Sequence, residues 1–261
     1  MSGASARDSA RRSQRLTVVV PVFNEADGIT ATLVAIATQD DQDFDAIFVD
    51  NGSTDGSAGV ILDFAALHGK GRWSIVTESQ KGTGAAADTG MRAAIASGAT
   101  LLARTDADCL PRADWTASIK RALERIDLVG GELVPRRDEG LSLGTRLLLR
   151  GAVELAEAFG RVRPGNRAPD YKGPYMMAAG CNVAITAELY VAAGGFPRTA
   201  IEDLHEDRAL VNAVRLLTDR YARRRDVVVY GSSRRVREWG LKNTLLWYKD
   251  HAYKPEHVDI R

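Results

Sequence analysis

Apolar residues in this chain follow two rhythms that alternate from Leu16 onward. The short β-branched runs LTVVVPV (16–22), FDAIFVD (44–50), WSIVT (73–77) and TLLART (100–105) read as buried strands. Between them, apolar positions recur at helical spacing: Ile29, Leu33 and Ile36, then Val60, Phe64 and Leu67. An alanine-rich run over 84–97, stopped by Gly98, and a face of Trp115, Ile119, Ala122 and Ile126 continue the pattern. Strands separated by helices in this order predict an α/β fold with a mostly parallel, Rossmann-like sheet covered on both faces. Ligands of such sheets gather outside the carboxyl ends of the strands. Asn24 and Glu25, Asp50, and Asp106 and Asp108 all fall at those ends.

Past residue 135 the rhythm loosens. A strand near 128–134 precedes a long amphipathic stretch over 141–160. Its stripe, TRLLLRGAVELAEAF, suits a core-facing helix or a homodimer contact better than an interfacial helix on a membrane, which is the remaining alternative. A Gly/Pro/Asn/Arg-rich loop over 161–175, the strand NVAIT, a short helix ending at Gly194-Gly195, a helix through 204–217 and the strand DVVVYG follow. No internal repeat is present. The pattern predicts a disordered leader over 1–15, one domain over 16–240 and a tail over 241–261. Within the domain, a nucleotide-type half (16–134) gives way to a substrate half (135–240).

Charge narrows the partners. With 35 basic and 34 acidic residues the net charge is +1, so nothing draws the whole molecule to nucleic acid or an anionic surface, and anion binding must be local. Cys109 and Cys181 form neither a disulfide framework nor a zinc-like spacing, which fits a reducing compartment. No run approaches the roughly 18 apolar residues of a membrane span, and the start lacks the apolar centre of a secretory signal. These features lead us to expect a cytoplasmic protein, with peripheral membrane contact left to the stripe.

The chemistry starts at LLARTDADCLPRADW, residues 101–115. Asp106 and Asp108 are either a polar strand exit or a metal site. Two carboxylates this close repel unless a cation lies between them or one is protonated, so a hard divalent ion is the economical reading. The flanking strand ends, VVVPVFNEADG and VDNGSTDGS, would bring further acidic and amide groups to the same mouth. Ser53 or Asp55 would cap the helix after the second strand. Asp50 stands where it could accept a hydrogen bond from a nucleobase imide. Gly82-x-Gly84-x-x-Ala87 superficially meets the dinucleotide fingerprint, but that fingerprint belongs to the first turn, where NEADG has one glycine. An NAD(P) oxidoreductase is therefore disfavoured. A nucleotidyltransferase is nearer, although such enzymes usually open on a basic, Gly-rich loop.

P-V-F-N-E after the first strand, V-D-N-G-S-T-D after the second, K-G-T-G-A-A near the third helix and D-A-D after the fourth appear in one order and spacing. Together they resemble the nucleotide-sugar half of inverting family 2 glycosyltransferases of the GT-A fold. The resemblance implies that Pro21, Phe23, Asn24 and Glu25 border the nucleoside and that Asp50 reads the base, with a UDP-sugar favoured. It implies that Lys81 lies near base or phosphates, that Asp106 and neighbouring Ala107 face ribose and metal, and that Asp108 ligates the metal. Mn²⁺ or Mg²⁺ is the ion expected for oxygen ligands.

GGFPRTAIEDLHEDRALV (194–211) is similar to the family's G-G-F segment followed by an E-D pair on a helix. Glu202-Asp203 and Glu206-Asp207 compete for that role, and the second is preferred because EDRALV continues as the family's helix does. The resemblance then makes Asp207 the base that takes the acceptor's proton and Glu206 its support. Arg234 and Arg235, in a stretch similar to T-S-x-R-R, would clamp the diphosphate unless they form a basic surface loop. Asn182 would lie near the bound sugar, and His251 is a further metal-ligand candidate, though a surface histidine fits its aromatic tail better. The Q-x-x-R-W of processive synthases is absent, so transfer of one sugar to a small-molecule, glycan or lipid-linked acceptor is expected. A degenerate protein that binds sugar nucleotides without turnover is the alternative from another class.

Overall fold

The computed structural model describes residues 14–162, 164–198 and 206–248. The leader up to residue 13, Glu202-Asp203, His251 and the rest of the tail from 249 lie outside the described residues. Among those described, one eight-stranded sheet runs in the order β3 (Trp73–Thr77), β2 (Phe44–Asp50), β1 (Leu16–Val22), β4 (Leu101–Arg104), β7 (Val183–Thr186), β6 (Leu128–Pro135), β8 (Tyr221–Gly231), β5 (Leu110–Pro111). Strands β1 (Leu16–Val22), β2 (Phe44–Asp50), β3 (Trp73–Thr77) and β4 (Leu101–Arg104) form its parallel half. Helices α1 (Ile29–Ala37), α2 (Ser57–Leu67), α3 (Thr83–Ala96) and α4 (Trp115–Leu123) connect and cover them.

The period of two along β1 divides the core. Val18 and Val20 face a cluster with Phe48, Leu33 and Trp115, while Val19 faces the other side with Val49, Met91 and Val214. Burial on both faces is why LTVVVPV reads as an unbroken apolar run. The small residues of α3 let it lie close against the sheet: a Cβ on Gly90 would stand 2.4 Å from Val19 Cγ1.

The second half is mixed. Strand β7 (Val183–Thr186) is antiparallel to β4 and to β6 (Leu128–Pro135), and β8 (Tyr221–Gly231) runs parallel to β6 with a register shift between Gly131 and Glu132. The two-residue β5 (Leu110–Pro111) pairs antiparallel with β8. The remaining helices are α5 (Leu143–Val162), α6 (Ala187–Ala192), α7 (Glu206–Leu217) and α8 (Arg234–Tyr248). No helix among the described residues is long and apolar enough to cross a membrane.

Three local expectations are corrected. Strand β8 starts at Tyr221, ahead of DVVVYG, because YARRR is held by tertiary pairing: Arg223 donates to Glu132 at 3.0 Å across the β6–β8 ladder. Arg234 and Arg235 begin a helix instead of a surface loop, and that helix continues into the expected tail with a break at Gly240, whose φ is 75°. The stripe of α5 does not face the core, since Leu147 is 69% and Leu155 73% exposed.

Candidate active site

The loop after β1 is built on Asn24, whose left-handed φ of 49° turns the chain sharply. Its amide N–H donates to Ser53 Oγ at 2.9 Å, and its side-chain oxygen accepts from Thr54 N–H at 2.6 Å. The next N–H groups donate to the loop after β2: Glu25 to Ser57 Oγ and Ala26 to Asp55 Oδ2. Two strand ends are thereby fastened together. Asp50 accepts from Ser53 N–H at 3.0 Å, Pro21 is buried in β1, and Phe23 is half-buried beside them. Asp55 accepts from Ser57 N–H at the start of α2, whereas Ser53 is used by Asn24.

At the exit of β4 the structure adds a residue that sequence reasoning missed. Arg104 is 1% exposed, and its guanidinium reaches Asp106 Oδ1 at 3.1 Å and Glu206 Oε1 at 3.3 Å. It also lies over the ring of Phe196. Burial alone would weaken its hold on a proton, but the two carboxylates override that and raise its pKa. An arginine interrupting LLA before the aspartates was the available signal.

Asp207, next to Glu206 at the start of α7, accepts from Gly180 N–H at 3.1 Å. Burial, followed by the charge of Glu206, pushes its carboxyl up to about 6. A carboxylate so tuned can take a proton near neutral pH. Two helix starts meet here, for a Cβ on Gly84 in the first turn of α3 would stand 2.4 Å from the Pro197 carbonyl and 3.3 Å from Glu206 Cβ. That close approach explains a glycine of the K-G-T-G segment without a dinucleotide.

Arg234, at the start of α8, comes to the same mouth. It donates to Glu25 Oε1 at 2.7 Å and Oε2 at 3.1 Å, and to Asp108 Oδ2 at 2.9 Å. Glu139 holds the two residues before Arg234, accepting from Ser232 Oγ at 3.0 Å and Ser233 Oγ at 2.6 Å. Arg136 donates to the Asp108 carbonyl at 3.3 Å.

Asp106 and Asp108 fit a hard divalent cation. Burial raises the Asp106 pKa against the pull of Arg104, and the Asp108 charge raises it further. No group of three His, Cys, Asp or Glu suited to a metal occurs among the described residues. Ala107 between the two aspartates is buried, and its carbonyl accepts from Thr32. Cys109 is a packing residue: contact with the Cys181 thiol and burial both raise its pKa.

Asn182 has scaffold partners instead. Asn182 is 1% exposed, and its amide accepts from Trp115 Nε1 at 2.9 Å and donates to the Glu132 and Val227 carbonyls at 2.9 and 3.0 Å. It braces the scaffold behind Gly180 and does not present its amide to a sugar, because those bonds point it inward. Arg235 lies over the ring of Trp239 on its own helix, and Lys81 is exposed. A further network went unread: Glu78, after β3, accepts from Thr89 and Arg198, which hold its carboxyl at about 2.

The pattern has relatives. Residues 17–178 match Glycosyl transferase family 2. The chain is 33% identical over 125 residues to the glycosyltransferase AglE of Haloferax volcanii, covering 45% of this chain and 39% of that one. It is 27% identical over 191 residues to an undecaprenyl-phosphate 4-deoxy-4-formamido-L-arabinose transferase of Aeromonas hydrophila, covering 72% and 58%. The chain thus spans less than two thirds of the length of either relative. Its fold matches the mannosyltransferase PcManGT of Pyrobaculum calidifontis, solved with GDP-Man and Mn²⁺, at a TM-score of 0.61 and 26% identity over 83% of this chain and 56% of that one. With the strand-end motifs lying inside the matched span and the α/β sheet shared with a GT-A enzyme, the chain belongs to glycosyl transferase family 2.

Proposed function

We propose that this chain is a glycosyltransferase that moves one sugar from a nucleotide-diphosphate sugar to an acceptor hydroxyl, with inversion at the anomeric carbon and with a divalent metal. One observation carries the reading: Arg104 joins Asp106, beside the candidate metal ligand Asp108, to Glu206, beside the candidate base Asp207. Donor and acceptor chemistry would thus share one mouth.

Asp207 takes the proton of the acceptor hydroxyl, whose oxygen attacks the anomeric carbon opposite the departing diphosphate. The bond to the diphosphate breaks as the new glycosidic bond forms, so an α-linked donor gives a β product. Gly180 N–H and Arg104 hold the Asp207-Glu206 pair in place, and Arg234 supplies a guanidinium for phosphate oxygens. A cation held by Asp106 and Asp108, Mn²⁺ or Mg²⁺, would neutralise charge on the leaving diphosphate. A UDP-sugar is the first choice of donor, and the GDP-Man of the Pyrobaculum neighbour makes a GDP-sugar the second. The undecaprenyl-phosphate of the Aeromonas relative supports a lipid-linked acceptor.

A thermal-shift panel of UDP-, GDP- and dTDP-sugars, with and without Mn²⁺, tests the reading, since ligands of the native state raise its melting temperature. One donor should stabilise the protein only when metal is present. No metal-dependent shift with any donor would sink the proposal.

A further inference from the structure

Helix α5 turns its apolar side away from the protein. Leu143, Leu147, Leu148, Leu155, Phe159 and Val162 are between 55% and 76% exposed. At about 100° per residue, the five from Leu147 onward fall in one sector roughly 120° wide, with only Gly144, Gly151 and Ala158 among them and no charge. The helix is anchored by other residues. Arg223 binds Glu157 and reaches Glu154 at 3.3 Å, while Gly160 lies so near Tyr175 that a Cβ would stand 2.3 Å from Cε1. A surface helix of a soluble protein ordinarily does the reverse, with apolar residues inward and charges outward. A continuous exposed apolar face of this kind marks a contact surface.

Charge selects what covers it. Residues 141–172 hold six arginines or lysines against three carboxylates, a local +3 in a chain of net charge +1. Two of those carboxylates, Glu154 and Glu157, are tied to Arg223, Arg161 also pairs with Glu157 at 2.8 Å, and Arg167 is exposed near the C-terminal end of the stripe. A second copy meeting this face about a twofold axis would set like charges against each other. An anionic bilayer complements both the leucines and the arginines. We propose that α5 is an in-plane anchor that docks this protein on an anionic phospholipid surface, with Leu147, Leu148, Leu155 and Phe159 at the acyl boundary. The proposal rests on α5 alone and stands apart from the transfer chemistry.

Sedimentation of the full chain with sucrose-loaded vesicles tests it, comparing phosphatidylcholine alone with a mixture holding about 30% phosphatidylglycerol. The wild-type chain should partition at least about tenfold more strongly onto the anionic vesicles, and Leu147→Glu/Leu155→Glu should lose about tenfold of that binding. Both substitutions are at exposed positions, so the melting temperature should stay unchanged; analytical ultracentrifugation without lipid should show a monomer. Equal binding by the double variant, or no binding by the wild type, would overturn the proposal. A wild-type dimer that the double variant dissociates would overturn it too, because a second copy would then cover the stripe.

Discussion

The guanidinium of Arg104 stands 3.3 Å from the carboxylate of Glu206, across 102 residues of chain. This contact fastens the start of α7 to the exit of β4, and so holds Glu206 close to Asp106. Replacing a buried cation leaves its partners buried and unpaired.

Arg104→Met is therefore expected to destabilise the fold by about 3–5 kcal/mol, read from urea denaturation, and to weaken donor binding in whatever protein remains folded. A loss within about 0.5 kcal/mol, the range of an ordinary surface change, would show that the bridge carries little.

Asp207 should impose a pH dependence. With its carboxyl at about 6, the basic form is lost below that pH, so kcat/KM should rise through pH 6 and fall about tenfold per unit well below it. Stability runs the other way. The folded state holds this proton more tightly than the unfolded chain, whose carboxyl titrates near 3.8, so ionisation destabilises the fold progressively between 3.8 and about 6. Asp207→Asn should accordingly raise the melting temperature above pH 6 and leave it unchanged below about pH 4, while turnover falls about 10²- to 10⁴-fold. Unchanged transfer by this variant would remove Asp207 from the role of base.

Arg234 and a metal would share Asp108. Arg234→Ala frees Asp108 Oδ2 and Glu25, so Mn²⁺ without nucleotide should bind at least as tightly as to the wild type. Donor affinity should nevertheless fall about 10- to 100-fold, the worth of a charged hydrogen bond to phosphate. Isothermal titration calorimetry measures both, and equal weakening of metal and donor would contradict the division of roles.

Asn182→Ala strips partners from Trp115 Nε1 and from the Glu132 and Val227 carbonyls. The expected result is a loss of about 1–3 kcal/mol in denaturant unfolding, with the KM for acceptor unchanged. A raised acceptor KM at unchanged stability would return Asn182 to the sugar site.

Much of the parallel half was legible because its signals are local. LTVVVPV and FDAIFVD show two-sided burial in their composition, and Gly98 adopts the φ of 88° expected where a helix stops. The strand-end rule gathers Asn24, Glu25 and Asp50, and bonds between the first loop and Ser53 and Thr54 account for it physically. Other features depended on pairing. YARRR carries no strand pattern of its own and becomes β8 through Glu132 and the β6 ladder. Arg234 reads equally as a surface residue in the sequence, and only the tertiary structure places it 2.9 Å from Asp108.

Periodicity determined the element types and the α/β class, and the spaced motifs pointed to the family, because both are properties of residues near one another in the chain. Tertiary structure decided which carboxylates share a mouth, that Asn182 faces the scaffold, and that α5 wears its leucines outward. Those outcomes turn on Arg104, Arg223 and Trp115 finding partners remote in sequence, and the energy of leaving such groups buried and unpaired arises only once the helices have docked.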